Sequence, residues 1–205
     1  MNMYRWYRYR HDYGKHREFL DLVISWVVLS IAFGTRYIFR GNLVGLALAF
    51  IAVATAFVFH EIAHREVARR YGLYARYKAW YTGLLAALII SLLTAKAFGS
   101  PFVIAAPGAV YIYAYMGIPP PDIEYRVAIA GPLTNAVLAA ILLIASHFTT
   151  YPFKLYLTFI GSVNAWIAIF NLIPLPPLDG YKIFRYSITI WAFVMLFAVV
   201  IYVLF

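Results

Sequence analysis

Cysteine is absent from this 205-residue chain and charge is scarce, with 8 Asp and Glu and only 12% charged residues in all. The first absence excludes disulfide frameworks and thiolate chemistry. The second excludes an ordinary water-soluble domain, because a composition of 64% hydrophobic residues leaves too little polar surface to face water. Internal repeats, low-complexity linkers and any stretch polar enough for an appended soluble domain are also missing. Nothing has the pattern of a cleavable signal peptide: residues 1–18 are basic and aromatic, and no small-residue cleavage site follows the first apolar run.

What is present is a series of apolar runs. About 20 such residues cross the hydrocarbon layer as a helix, and Leu43–Phe59, Val127–Ala145, Leu155–Ile173 and Ile188–Phe205 meet that description. Phe19–Phe33 is a shorter fifth run, and Trp80–Ala97, interrupted by Gly83 and Lys96, is a sixth. The predicted fold is an all-α multi-pass membrane protein of about six membrane helices, carrying a small membrane-re-entrant β-hairpin. A basic cytoplasmic tail at residues 1–18 precedes one membrane-embedded domain at residues 19–205. The formal charge of +9 fits arginines facing a cytoplasmic leaflet, so the lipid bilayer is an expected partner and nucleic acid is not. Arg5, Arg8, Arg10, Lys15 and Arg17, and later Arg65, Arg69, Arg70, Arg76 and Lys78, mark the cytoplasmic side. The N-terminus is therefore cytoplasmic, and the uncharged C-terminal end (AFVMLFAVVIYVLF) is external, as in a multi-pass protein of the cell membrane. Tyrosines and tryptophans at Tyr4–Tyr13 and Tyr71–Tyr81 suit interfacial aromatic belts.

Against this background FHEIAHREVARRYG, residues 59–72, is unusual. His60 and His64 are spaced i, i+4, so on a helix both imidazoles leave one face a turn apart and two neutral nitrogens can hold zinc. Glu61 sits about 100° around the helix, where its carboxylate can take a proton from a water activated by the metal without becoming a ligand. Histidines that merely end an interfacial helix are the plainer reading, yet ionisable groups inside membrane helices are costly and mark function. A catalytic zinc keeps three protein ligands and one open position. Among the few acids, Asp179 stands out by context, ending NLIPLPPLDG, where prolines break an apolar helix and force extended backbone. Such backbone at membrane depth is tolerated where it is buried in protein or lines a wet cavity; an ordinary interfacial turn is the alternative.

HEIAH followed by NLIPLPPLDG resembles the site-2 protease family of zinc intramembrane metalloproteases, whose second motif reads N-x-x-P-x-P-x-L-D-G. Asn171, Pro174, Pro176, Leu178, Asp179 and Gly180 occupy every fixed position of it. AGPLTN (Ala130–Asn135) is similar to the family's central Gly-Pro helix start, and FVIAAPGAVYIYA (Phe102–Ala114) to its strand-rich re-entrant segment. The resemblance implies His60, His64 and Asp179 as ligands of one Zn2+, Glu61 as general base, and Asn171 as the group that steadies the oxyanion or the substrate backbone. Asn135 is a candidate substrate contact. Tyr181 follows Gly180 where many members have a second glycine.

Membrane geometry tests the match, since Asp179 must share the depth of the histidines. His60 lies 17 residues, about 26 Å of helix, below Leu43, and Asn171 lies about 24 Å below Leu155. For both to meet, the chain between Arg65 and Arg126 must begin and end on one side, so Trp80–Tyr115 must make a return trip. Helix entry at Trp80–Ala97 and a hairpin of FVIAA against AVYIYA about Pro107-Gly108 would supply it. An exposed strand edge there, Val110, Tyr111, Ile112 and Tyr113, could pair with an unwound substrate helix. The function these readings favour is endoproteolysis within the transmembrane segment of another protein. A zinc transporter or sensor is the alternative, although transport needs no general base; a CAAX-type protease would want a glutamate as third ligand.

Overall fold

The structure, a computed structural model, describes residues 3–103, 108–113 and 119–205. Its helices are apolar over lengths that match a bilayer. Among the described residues five are long and apolar enough to cross one: the His16–Phe39 part of α1 (Met3–Phe39); Leu43–Arg70, made of α2 (Leu43–Val53), a wide π turn (Ala54–Val58) and α3 (Phe59–Arg70); α4 (Tyr81–Phe98); α5 (Pro121–His147); and α6 (Phe153–Asn171). The run expected at Ile188–Phe205 forms one more apolar helix, α8 (Ile188–Leu204), shorter than those five. Asp179–Tyr186 is a separate helix, α7, and the Ser187 hydroxyl between the two accepts from the Ile190 amide at 3.3 Å. At the other end the basic tail is not distinct from the first span, since helical backbone runs unbroken from Met3.

Small residues let these helices approach closely, which is how membrane helices associate without a hydrophobic driving force between them. Ala52 and Ala56 meet Val163 and Ile167 of α6, and Ala136 of α5 packs with Ala168 and Leu172. Leu43, Leu93, Ile144 and Val203, by contrast, are more than half exposed, an apolar belt that suits lipid and not water.

The segment between α3 and α5 departs from the expected hairpin. β2 (Gly108–Tyr113) pairs antiparallel with β1 (Tyr74–Ala79), the strand before α4, from Tyr74 opposite Tyr113 to Ala79 opposite Gly108. Phe102 and Val103 are not strand, and Ile104–Pro107 lie outside the described residues. The physical reason is length: Gly99, at φ 73°, caps α4. Nine residues, Ser100 to Gly108, can span up to about 30 Å at about 3.3 Å each, which is enough length to return along an 18-residue helix of about 27 Å. Pairing of Ala79 with Gly108 thus puts both ends of the excursion at the same end of α4.

Helix α1 holds this sheet. Glu18 accepts from the Tyr77 amide at 3.2 Å and Asp21 from the Ala79 amide at 3.3 Å, so the edge of β1 that faces away from β2 is covered. The Tyr77 hydroxyl donates to Ser25 at 2.9 Å. Tyr77 is therefore core and not part of an interfacial belt, although Tyr71, Trp80 and Tyr81 around it are exposed as expected. Burial pushes its pKa above the ordinary tyrosine range.

Candidate metal centre

α3 carries His60, Glu61 and His64 at its start, all buried at 3%, 8% and 5% exposure. The prolines after α6 break the chain, and Leu178, extended at φ −69° and ψ 157°, feeds it into α7 at Asp179. Gly180 allows this start to press on the end of α6: a side-chain carbon there would collide with the Leu172 carbonyl. Asp179 thereby reaches α3. Its Oδ2 lies 3.2 Å from His60 Nε2 and 3.0 Å from His64 Nε2, although 119 residues separate it from His60. One donor atom from each of the three lies within 4.8 Å of the others. Two imidazoles and a carboxylate with converging atoms are a donor set that zinc accepts.

The far sides of the histidines are also fixed. His64 Nδ1 donates to the Val127 carbonyl of α5 at 2.7 Å, which leaves Nε2 with its lone pair toward Asp179. His60 Nδ1 faces the Asn135 amide, whose Nδ2 is 3.2 Å away and also donates to the Ala56 carbonyl in the π turn at 2.9 Å. The Glu61 carboxylate is buried beside this cluster with Oε2 lacking any partner. A buried carboxylate oxygen left unpaired is costly, and this one lies beside three residues that could hold a metal ion.

The expected site residues fall into two groups. His60, Glu61, His64 and Asp179 come together. Asn171, at the end of α6, turns its amide back onto the Ile167 carbonyl of its own helix at 3.0 Å. Asn135 is fully buried against the π turn and α3, on the far side of His60 from Asp179. AGPLTN is not a helix start: α5 begins at Pro121, where Pro suits a first turn, and Pro132 lies inside it. Backbone of Val110–Tyr113 is strand, as expected.

Sequence reasoning missed Gly131. A side-chain carbon at this position would strike His64 Nε2 and stand 2.6 Å from His60 Nε2, so only glycine lets α5 cross over the two imidazoles. The signal was present as the glycine of AGPLTN, but nothing in the sequence says what faces it. Also missed were the acids of α1 that hold β1.

Comparison with known proteins agrees with this geometry. The sequence profile of peptidase family M50 matches residues 146–203, a stretch that contains Asn171 and Asp179. A protein of Methanocaldococcus jannaschii, named as a candidate zinc metalloprotease, is 42% identical over 183 residues, 87% of this chain and 88% of its own length. A zinc metalloprotease of the same organism is 29% identical over 172 residues, and the match spans only 40% of that longer protein. No solved structure matches. A match at 42% identity over nearly the whole of both chains, together with the family profile across the second motif, shows that the chain belongs to peptidase family M50, the site-2 proteases.

Proposed function

We propose that the chain is a zinc-dependent intramembrane endopeptidase that hydrolyses peptide bonds in the transmembrane segment of another membrane protein. The observation that carries this reading is the meeting of His60, His64 and Asp179 around one point, with the unpartnered Glu61 Oε2 buried beside them. His60 Nε2, His64 Nε2 and one Asp179 oxygen would hold the ion. When bound, zinc supplies Lewis acidity toward water and the scissile carbonyl. Glu61 removes a proton from the attacking water as its oxygen bonds to the carbonyl carbon, then delivers that proton to the departing amide nitrogen as the C–N bond breaks. Asn171, once its amide turns from Ile167, donates to the oxyanion.

Substrate alignment follows from the sheet. Glu18 and Asp21 occupy the outer edge of β1, so the edge of β2 along Val110, Tyr111, Ile112 and Tyr113 is the one that α1 leaves uncovered. An unwound transmembrane segment would add there as a strand. The charge pattern supports a cytoplasmic N-terminus and an external C-terminus in the cell membrane; because the chain has no cysteine, single introduced cysteines tested with an impermeant thiol reagent would report both ends.

The deciding experiment is Glu61→Gln in detergent, with zinc content and cleavage of a transmembrane substrate measured together. Zinc retained and cleavage reduced about 10²- to 10⁴-fold is expected. A variant that keeps zinc and cuts like the wild type would remove the protease reading and leave reversible metal binding, as in a transporter or sensor.

A further inference from the structure

We propose that Asn135 is the positioning residue of His60: its carboxamide couples the imidazole to the π turn and supplies the acceptor that frees Nε2 for the metal. This rests on His60 being a zinc ligand, as proposed above. The hydrogen bonds of Asn135 do not match those that a ligand histidine needs. Asn135 is fully buried, its Nδ2 serves both the Ala56 carbonyl and His60 Nδ1, and its Oδ1 has no partner at all. A neutral imidazole has one donor and one acceptor nitrogen. With Nδ2 donating to Nδ1, the ring proton must sit on Nε2, where it faces Asp179 Oδ2 at 3.2 Å.

Zinc on Nε2 requires the opposite tautomer. Nδ1 then bears the proton and needs an acceptor, which metal-bound histidines almost always find in a carboxylate, a carbonyl or water. The orphaned Asn135 Oδ1 is that acceptor, brought to Nδ1 by a partial rotation of the amide that leaves Nδ2 on the Ala56 carbonyl. Asparagine suits the place because it offers an acceptor for the ring and a donor for Ala56 on one short, rigid group. The Ala56 carbonyl belongs to the π turn immediately before the HExxH helix, and such turns gather at functional sites. Bonding to both would fix the azimuth at which His60 leaves the helix. His64 shows the completed form of the same arrangement, its Nδ1 already donating to the Val127 carbonyl at 2.7 Å.

Zinc affinity, and not cleavage, is the readout. Purified wild type, His60→Ala, Asn135→Leu and Asn135→Asp would be titrated against a chromophoric zinc chelator in detergent. Asn135→Leu, which keeps the volume and removes both functions, is expected to bind zinc 10- to 100-fold more weakly, as for loss of other supporting partners of a ligand histidine. Asn135→Asp keeps an acceptor for Nδ1–H and is expected to hold zinc at least as tightly as wild type. Wild-type affinity in Asn135→Leu, or a tenfold loss in Asn135→Asp, overturns the proposal while the metal site stands. If Asn135→Leu cannot be purified folded, Asn135→Asp decides alone. Undiminished zinc binding in His60→Ala would be a different failure, removing the site itself and this inference with it.

Discussion

The metal centre and the two-stranded sheet both pack against α3, yet one is held by atoms that are missing and the other by atoms that are added. Around the histidines the decisive positions are glycines: Gly131 lets α5 lie over the imidazoles, and Gly180 lets α7 begin against the end of α6. Around β1 they are carboxylates, Glu18 and Asp21, each reaching from α1 to a backbone amide. The difference teaches what each region can tolerate. A close approach of backbone to ligand has no slack, since well-packed interiors cannot absorb an extra carbon without displacement. A strand held by side-chain hydrogen bonds loses them one at a time, at about 0.5–3 kcal/mol each.

The largest effect is therefore expected from Gly131→Ala. Its methyl would occupy the space of both Nε2 atoms, so zinc content should fall well below one per chain and cleavage by at least about 100-fold, the size of loss that a 1 Å misplacement can cause. Gly161→Ala is the control. Its methyl would first meet the Phe205 ring, the end of a side chain that can move, and zinc content should not change. Equal zinc in the two variants would erase the contrast on which the comparison rests.

Next in size is Gly180→Ala. The new carbon would press on the carbonyls of Leu172 and Ile173, moving the start of α7 and Asp179 with it, while His60 and His64 stay in place. Two ligands would remain, so zinc should still bind but more weakly, by about 10-fold or more. Chelator competition measures this, and an affinity as low as that of Gly131→Ala would mean that the two glycines do not act on separate ligands.

How much of this was legible in the sequence follows the same division. His60, Glu61, His64 and Asp179 could be read because their chemistry is carried by residue type and spacing, and because depth along two apolar helices could be counted in residues. The need for a return trip through residues 80–115 came from the same count. The partner of β2 could not be read: both FVIAA and YARYKA are plausible strands, and choosing β1 depends on Glu18 and Asp21, some 58 residues away in sequence. Gly131 and Asn135 were visible as a motif but not as contacts, because a glycine or an asparagine in an apolar helix does not announce which neighbour it faces. Tyr77 was misread for a related reason, since an aromatic near a membrane end looks interfacial until a buried hydroxyl partner such as Ser25 is known.

The sheet offers smaller and more graded tests. Glu18 is buried, accepts from the Tyr77 amide and lies 3.7 Å from Arg65, the residue after His64. Glu18→Ala would leave that amide buried without an acceptor, a cost of about 1–3 kcal/mol. If β2 aligns the substrate, a loosened β1 should raise KM for a transmembrane substrate several-fold and leave zinc affinity unchanged. Loss of zinc together with the rise in KM would show that the sheet and the metal centre are one unit held through Arg65, and the comparison would fail from the other side.

Asp21→Asn should have the smallest effect. The bond from the Ala79 amide to Asp21 is long at 3.3 Å and only partly buried, and the second partner, the Tyr81 hydroxyl, is exposed. An asparagine keeps one oxygen for the Ala79 amide, so that bond loses its charge assistance, about half its strength, while the exposed Tyr81 hydroxyl loses its acceptor and turns to water. The expected cost is under about 1 kcal/mol, too little to move zinc affinity or the overall unfolding transition clearly. It is enough to speed hydrogen exchange of the Ala79 amide by less than about fivefold, with the Tyr77 amide unaffected. Ala79 is paired with Gly108, the first residue of β2, so this end of the sheet is where the chain returns from α4. A large increase at both amides would mean that the strand opens as a whole when either acid is weakened, and that its tolerance is no more graded than that of the glycines at the metal centre.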